Sequence, residues 1–254
     1  MCVMGVRFHL AAATAMAAIF AAGAARAQSQ PEPVQLPQVS VSATGIATPL
    51  DQIGSSVTVI TAGDIARLQR RTLPDLLNSV PGVNVVQTGG PGGQTAIFMR
   101  GTAAQHVKVL LDGIDISDPS TPNGAVDLAH IVTSDIDRVE VLRGPQSSLY
   151  GANAIGGVIS ITTKRGQGPA KATATLEGGS LGTFNQSAAV SGSKDRIDYA
   201  FNVTHLRSTM INVTPSYVLP PGQAANPNSY DNMSYATRLG AQLTDDLRVN
   251  FIGR

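Results

Sequence analysis

The spacing of apolar and polar residues changes twice along this chain. Leu10–Ala22 is an apolar stretch built mostly of alanine, with Arg7 before it and Ala25-Arg26-Ala27 after it. From Thr48 to Lys164, short β-branched runs alternate with short helical stripes. Beyond Gly166-Gln167-Gly168-Pro169 the pattern becomes strict alternation. Lys171, Thr173, Thr175 and Glu177 oppose Ala172, Ala174 and Leu176. Arg196, Asp198, Asn202 and Thr204 likewise oppose Ile197, Tyr199, Phe201 and Val203, and Ser234, Arg238 and Gln242 oppose Tyr235, Leu239, Ala241 and Leu243. A period of two puts each set on its own face of a strand.

Each segment predicts its own elements. The first has the charged start, short apolar core and small-x-small ending of an export signal, cleaved after Ala27. In the second, Val57–Ile60 reads as a strand. Thr61 caps a helix with Asp64 in its first turn, and Thr72 caps another that contains Pro74, Leu76 and Leu77. Val83–Val86, Ile97–Arg100, Val107–Leu111, Ile136–Leu142 and Gly157–Thr163 are further strands, and Asp112-Gly113 is a tight turn. Together they make a small α+β domain over 48–165. In the third segment, about five strands follow residue 169, joined by a short turn at Gly192–Asp195 and a long polar loop from Thr209 to Asn232. Seven of the nine aromatics beyond residue 27 lie past residue 183. These features fit the start of a transmembrane barrel over 170–254, and a secreted β-sandwich shares the same period.

Composition narrows the function. The 254 residues carry a formal charge of +1 and 14% charged side chains. This is not the basic footprint that nucleic-acid binding needs. Cys2 is the only cysteine and falls in the export signal, so neither a disulfide framework nor a cysteine metal site is available. The histidines beyond it, His106, His130 and His205, have no metal-ligand spacing, and no G-x-S-x-G elbow occurs, so an enzyme is not expected. Gln28–Gln38, with three prolines, reads as an extended linker, and Val39-Ser40-Val41-Ser42-Ala43-Thr44 follows it as a short edge strand.

Three runs carry a family resemblance: Ile97-Phe98-Met99-Arg100-Gly101, HVKVLLDGIDISD (106–118) and DIDRVEVLRGPQSSLYGANAIGGVISITTK (135–164). Over about residues 38–165 they resemble the plug domain of TonB-dependent outer-membrane receptors, and within that family most closely the cobalamin receptor. The resemblance implies an α+β plug followed by the first antiparallel strands of a truncated outer-membrane β-barrel, about five in number. It implies active transport of cobalamin, with an iron–siderophore complex as the alternative cargo, and no cofactor. A soluble periplasmic binding or assembly protein is the rival from another class.

By position, the family's TonB box falls on Val39–Thr44, within the 28–47 linker. Such an extended segment can add a strand to the energising TonB partner through main-chain bonds. The apical plug loops place Thr88, Gly90, Gln94, Thr95, Asp115 and Asp118 as candidate ligand contacts. Arg100, Glu140 and Arg143 stand inside the signature as structural charges, to be paired with each other or with the barrel wall. Arg67, Arg70 and Arg71 read as a solvated helix face.

Overall fold

A computed structural model describes residues 40–41, 45, 48–121, 124–225 and 228–254. The export signal with its Ala27 cleavage site, the proline-rich linker, and Val39, Ser42, Ala43 and Thr44 lie outside the described residues. A two-residue ladder, β1 (Ser40–Val41) on β2 (Thr48–Pro49), precedes the α+β segment. That segment has strands β3 (Ser56–Thr61), β4 (Val83–Gln87), β5 (Thr95–Met99), β6 (Val107–Leu111), β7 (Ile114–Asp115), β8 (Ile136–Arg143) and β9 (Gly157–Thr163). Its helices are α1 (Ala62–Leu68), α2 (Leu73–Leu77) and α3 (Ser147–Tyr150).

The helices start where their caps place them. Thr61 and Asp64 form a reciprocal capping box on α1, and the Thr72 hydroxyl accepts from the Asp75 amide, with Pro74 in the first turn of α2. One sheet runs β3-β8-β9-β6-β7, antiparallel except for the β6–β9 pair, while β4 and β5 form a separate hairpin. Leu73, Leu76, Leu77, Ile136, Val139, Val141, Ile159 and Ile161 are fully buried between sheet and helices. Each such side chain contributes about 1.5–3 kcal/mol of burial.

A second sheet is an antiparallel meander: β10 (Lys171–Gly179), β11 (Thr183–Lys194), β12 (Ile197–Ile211), β13 (Asn228–Gln242) and β14 (Arg248–Gly253). It is not closed, because β10 and β14 each pair on one edge only. The turn after β11 is shorter than the sequence suggests. Asp195 adopts φ 54°, so Asp195 and Arg196 alone make the turn, and Gly192–Lys194 stay in the ladder. The long loop also shrinks to 212–227, because the alternating ladder continues to Ile211 and resumes at Asn228.

The alternation sorts this sheet into two unlike faces. Leu176, Val190, Ile197, Phe201, Tyr235, Leu239 and Phe251 are exposed on one. Asn185, Thr204 and Arg238 are buried on the other, against the α+β segment. Along β13 and just past it, the outward positions from Met233 to Leu243 are ten residues apart. At the rise and tilt usual for barrel strands this gives an apolar band roughly 25 Å tall, the height of a hydrocarbon layer. Among the described residues, no helix is long and apolar enough to cross a membrane.

Candidate functional site

The α+β segment meets the inner face of the second sheet along a polar seam. At its centre is the Asp112-Gly113 turn joining β6 to β7, with φ of 50° and 86°. This geometry turns the Asp112 carboxylate across β9. There it accepts from the Thr163 amide at 3.0 Å and the Thr163 hydroxyl at 2.6 Å. Arg238, on the inner face of β13, donates its Nη1–H to the same carboxylate and to Thr163 Oγ1 at 2.9 Å.

Further contacts spread along the wall. The Ser134 hydroxyl lies 2.6 Å from Thr204 Oγ1 and donates to Asn202 Oδ1 at 3.1 Å, both on β12. Arg254 pairs with Asp135 at 3.0 Å and donates to the Val132 carbonyl. Arg71 pairs with Glu177 of β10, which also accepts from Asn185. Arg71 is therefore a wall contact and not a solvated helix residue: α1 ends at Leu68, which frees Arg71 to turn toward the sheet. Arg67 does remain on the exposed helix surface, paired with Asp64. Asp135 is buried, and among the described residues no aligned hydrogen-bond donor reaches its oxygens. Burial raises its carboxyl above the usual range, and the Arg254 charge only partly offsets this.

At the end of the sheet that carries the 212–227 loop, the β4–β5 hairpin tip meets β13. His130 stacks on Tyr230, with ring centroids 6.0 Å apart and planes 8° from parallel. Asn232 donates to the Tyr230 hydroxyl at 2.7 Å and to the His130 carbonyl at 3.3 Å. Gly92, at φ 84°, leaves this ring its room, because a Cβ there would sit 2.5 Å from Tyr230 Cδ2.

Around that tip, Thr88 and Gln94 are exposed and Gly90 is half-buried, with the Thr88 amide donating to the Gln94 carbonyl. Thr95 departs from the expectation of a ligand contact. It is fully buried, its hydroxyl donates to the Gly93 carbonyl, and its amide donates to Asp127. As the first residue of β5, its side chain falls on the inward side of the alternation. Asp115 pairs with Lys108 and accepts from Ser117, and Asp118 accepts from Ser120. Burial pushes the Asp115 carboxyl up, but its hydrogen bonds from Lys108 and Ser117 outweigh this and hold it low. The Ser120 hydrogen bonds hold that of Asp118 low. No hydrogen bond or ion pair joins Asp115 or Asp118 to the 88–94 tip among the described residues.

The signature charges were expected to pair with each other or with the barrel wall, and the structure gives each its own neighbours. Glu140 is fully buried and pairs with Arg138, two positions along its own strand. Arg100 is exposed at φ 51°, just past β5 and outside the ladder. Arg143 donates to Ser56 Oγ and the Pro81 carbonyl. Burial and then the neighbouring Arg100 charge lower its pKa. No group of three or more metal-ligating side chains is gathered among the described residues.

An α+β segment docked by polar side chains on the inner face of an open sheet with an apolar outer face is the arrangement of a plug against the first strands of a barrel wall. Comparison with known proteins finds a family model for the α+β segment. Residues 49–158 match the TonB-dependent Receptor Plug Domain. That segment is a plug, and the strands after it resemble the start of a TonB-dependent receptor barrel. The family is one of transport receptors, not enzymes.

Three solved structures illustrate the likeness. The ferripyoverdine receptor of Pseudomonas aeruginosa shares 18% identity at a TM-score of 0.68, over 83% of this chain and 26% of its own. The siderophore receptor PirA from Acinetobacter baumannii shares 26% identity at 0.58, over 77% of this chain and 30% of its own. The ferric yersiniabactin uptake receptor FyuA from Yersinia pestis shares 23% identity at 0.59, over 78% and 30%. This chain therefore spans less than a third of the length of these receptors. All three are siderophore receptors, and none supports the cobalamin expectation.

Proposed function

We propose that this chain forms the plug and first wall of an outer-membrane receptor that takes up an iron–siderophore complex. The observation that carries this reading is a plug sealed by buried polar contacts against strands whose opposite face is an apolar band of membrane height. The siderophore receptors named above favour iron chelates over cobalamin as cargo. Such a protein would be exported with cleavage after Ala27. Thr88, Gly90 and Gln94 at the hairpin tip, with His130 beside them, would form the plug's share of the ligand surface.

Energy would enter through the box at Val39–Thr44. Its residues Ser40 and Val41 pair with Pro49 and Thr48. This ladder is short, and Pro49 contributes no amide hydrogen, so few bonds hold it. An energising TonB partner could therefore compete for the same extended backbone.

The test is uptake of radioiron chelates and of labelled cobalamin by cells whose only receptor is the intact protein carrying this chain. Energised uptake of an iron chelate is expected, and uptake of cobalamin alone would overturn the cargo assignment. Val41→Pro should leave surface binding intact and abolish uptake, whereas Val41→Ala should be mild. Normal uptake in the proline variant would place the box elsewhere.

A further inference from the structure

Between plug and wall lies a cavity of about 450 Å³, bounded by α1, the start of β8 and the inner face of β10–β13. Its lining is cationic. Arg70, Arg71, Lys164, Lys171, Arg238 and Arg254 face Asp135 and Glu177. Three of the six cations are neutralised: Arg71 by Glu177, Arg254 by Asp135 and Arg238 by Asp112. Arg70, Lys164 and Lys171 take part in no ion pair among the described residues, and Lys164 reaches only the Ser134 carbonyl. The remaining lining is small and polar, with Thr173, Thr175, Ser187 and Asn202. A cleft with one sign of charge in excess concentrates ions of the other sign.

The His130–Tyr230 stack lies toward the loop end, outside the lining of the cavity, and Ser134 bridges to Thr204 at its rim. A ligand resting on the hairpin tip would not touch these cations, because Thr88, Gly90 and Gln94 are not among the residues that line the cavity.

We propose that this crevice is a second binding site, engaged in transit, for a chelate of net negative charge. Arg70, Lys164 and Lys171 supply the attraction. The inference rests on the iron–siderophore reading and adds to it the charge of the cargo and the point at which that charge is read. Transport through the crevice should depend on cationic charge at positions 70 and 171, while capture at the tip should not. Both side chains are exposed and take part in no ion pair among the described residues, so replacing them should leave the fold intact.

The experiment compares R70Q/K171Q with the charge-retaining R70K/K171R in the intact receptor on whole cells. Radioiron complexes of a tris-catecholate (anionic) and a tris-hydroxamate (neutral) are the probes. The expected result is that the wild type transports the anionic complex. The glutamine variant should bind it unchanged at the surface but transport it about fivefold to tenfold more slowly. The charge-retaining variant should stay near the wild type. Unaltered transport in R70Q/K171Q, equal loss in both variants, or transport of the neutral complex alone would each overturn the transit site while leaving the receptor reading in place. No uptake of either complex by the wild type would overturn both.

Discussion

Arg238 of β13 and Asp112 of the β6–β7 turn are 126 positions apart and meet as a buried ion pair at 2.5 Å. Each arrives by a local rule. Alternation puts Arg238 on the inner face of its strand, and the left-handed Asp-Gly turn swings Asp112 back across β9. Thr163 binds both, so the wall, the turn and the last plug strand share one hydrogen-bonded knot.

Asp112→Ala should therefore destabilise the docked plug by about 3–5 kcal/mol, because it leaves the Arg238 guanidinium buried without its carboxylate. The Asp112→Ala/Arg238→Ala pair should cost less than the sum of the single changes. Denaturant unfolding of the intact receptor, with proteolysis of the plug as the readout, measures both. Additive costs would show that the two side chains do not act as a pair.

Acidification should act on Asp135 in the opposite sense to Asp115 and Asp118. Burial raises the Asp135 carboxyl in the folded protein. The folded state then binds this proton more readily than the unfolded chain does. Its contribution strengthens as pH falls through the raised value toward the ordinary 3.8. The lowered Asp115 and Asp118 carboxyls give stability that is present above 3.8 and lost as pH falls through their folded values. Asp135→Asn should flatten the stability profile above 3.8, up through the raised folded value where this carboxyl titrates. Urea midpoints across that range test it, and an unchanged slope would remove Asp135 as the titrating group.

What the sequence made legible were features set by neighbours. The capping residues Thr61 and Thr72, the six longer plug strands, the Asp112-Gly113 turn and both faces of the wall strands all follow from spacings of a few residues. The seam was not legible. Period-two alternation puts Glu177, Asn202, Thr204 and Arg238 on one side, but nothing local says which plug residues they will meet. Ser134, Asp135 and His130 lie before the predicted strand at Ile136, where no local pattern marks them as wall contacts. Thr95 and Arg100 were misjudged at the two ends of one strand. Burial of Thr95 depends on the hairpin's register, and Arg100 leaves the ladder in a left-handed conformation that a strand-like run conceals.

Gly92→Ala should open the His130–Tyr230 stack. The new methyl would meet the tyrosine ring at 2.5 Å, on a backbone whose φ of 84° already disfavours a side chain. The stack's own coupling is about 0.5–1.5 kcal/mol. The larger effect should be positional: the hairpin tip shifts, and surface binding of the iron chelate weakens by about tenfold or more. His130→Ala, which removes the partner ring but adds no clash, should weaken it less. Equal binding in wild type and Gly92→Ala would show that the tip does not touch the ligand.

The two faces of the wall can be separated by placing one charge on each. Leu239 is outward on β13, between Tyr199 and Phe251 in the paired register, within the apolar band. Thr173 is inward on β10, lining the cationic crevice. If the outer face meets lipid, Leu239→Arg must bury a guanidinium in hydrocarbon, at a cost of about 2–4 kcal/mol near the midplane. Thr173→Arg keeps its charge in a wet, polar cleft and should cost less than about 1 kcal/mol. Urea titration of the intact receptor folded into phospholipid vesicles measures both costs. In detergent-free buffer the order would reverse for a soluble β-sandwich, whose outward face is already wet and accepts arginine readily. Equal costs for the two variants in vesicles would therefore count against a lipid-facing wall, however well its alternation fits one.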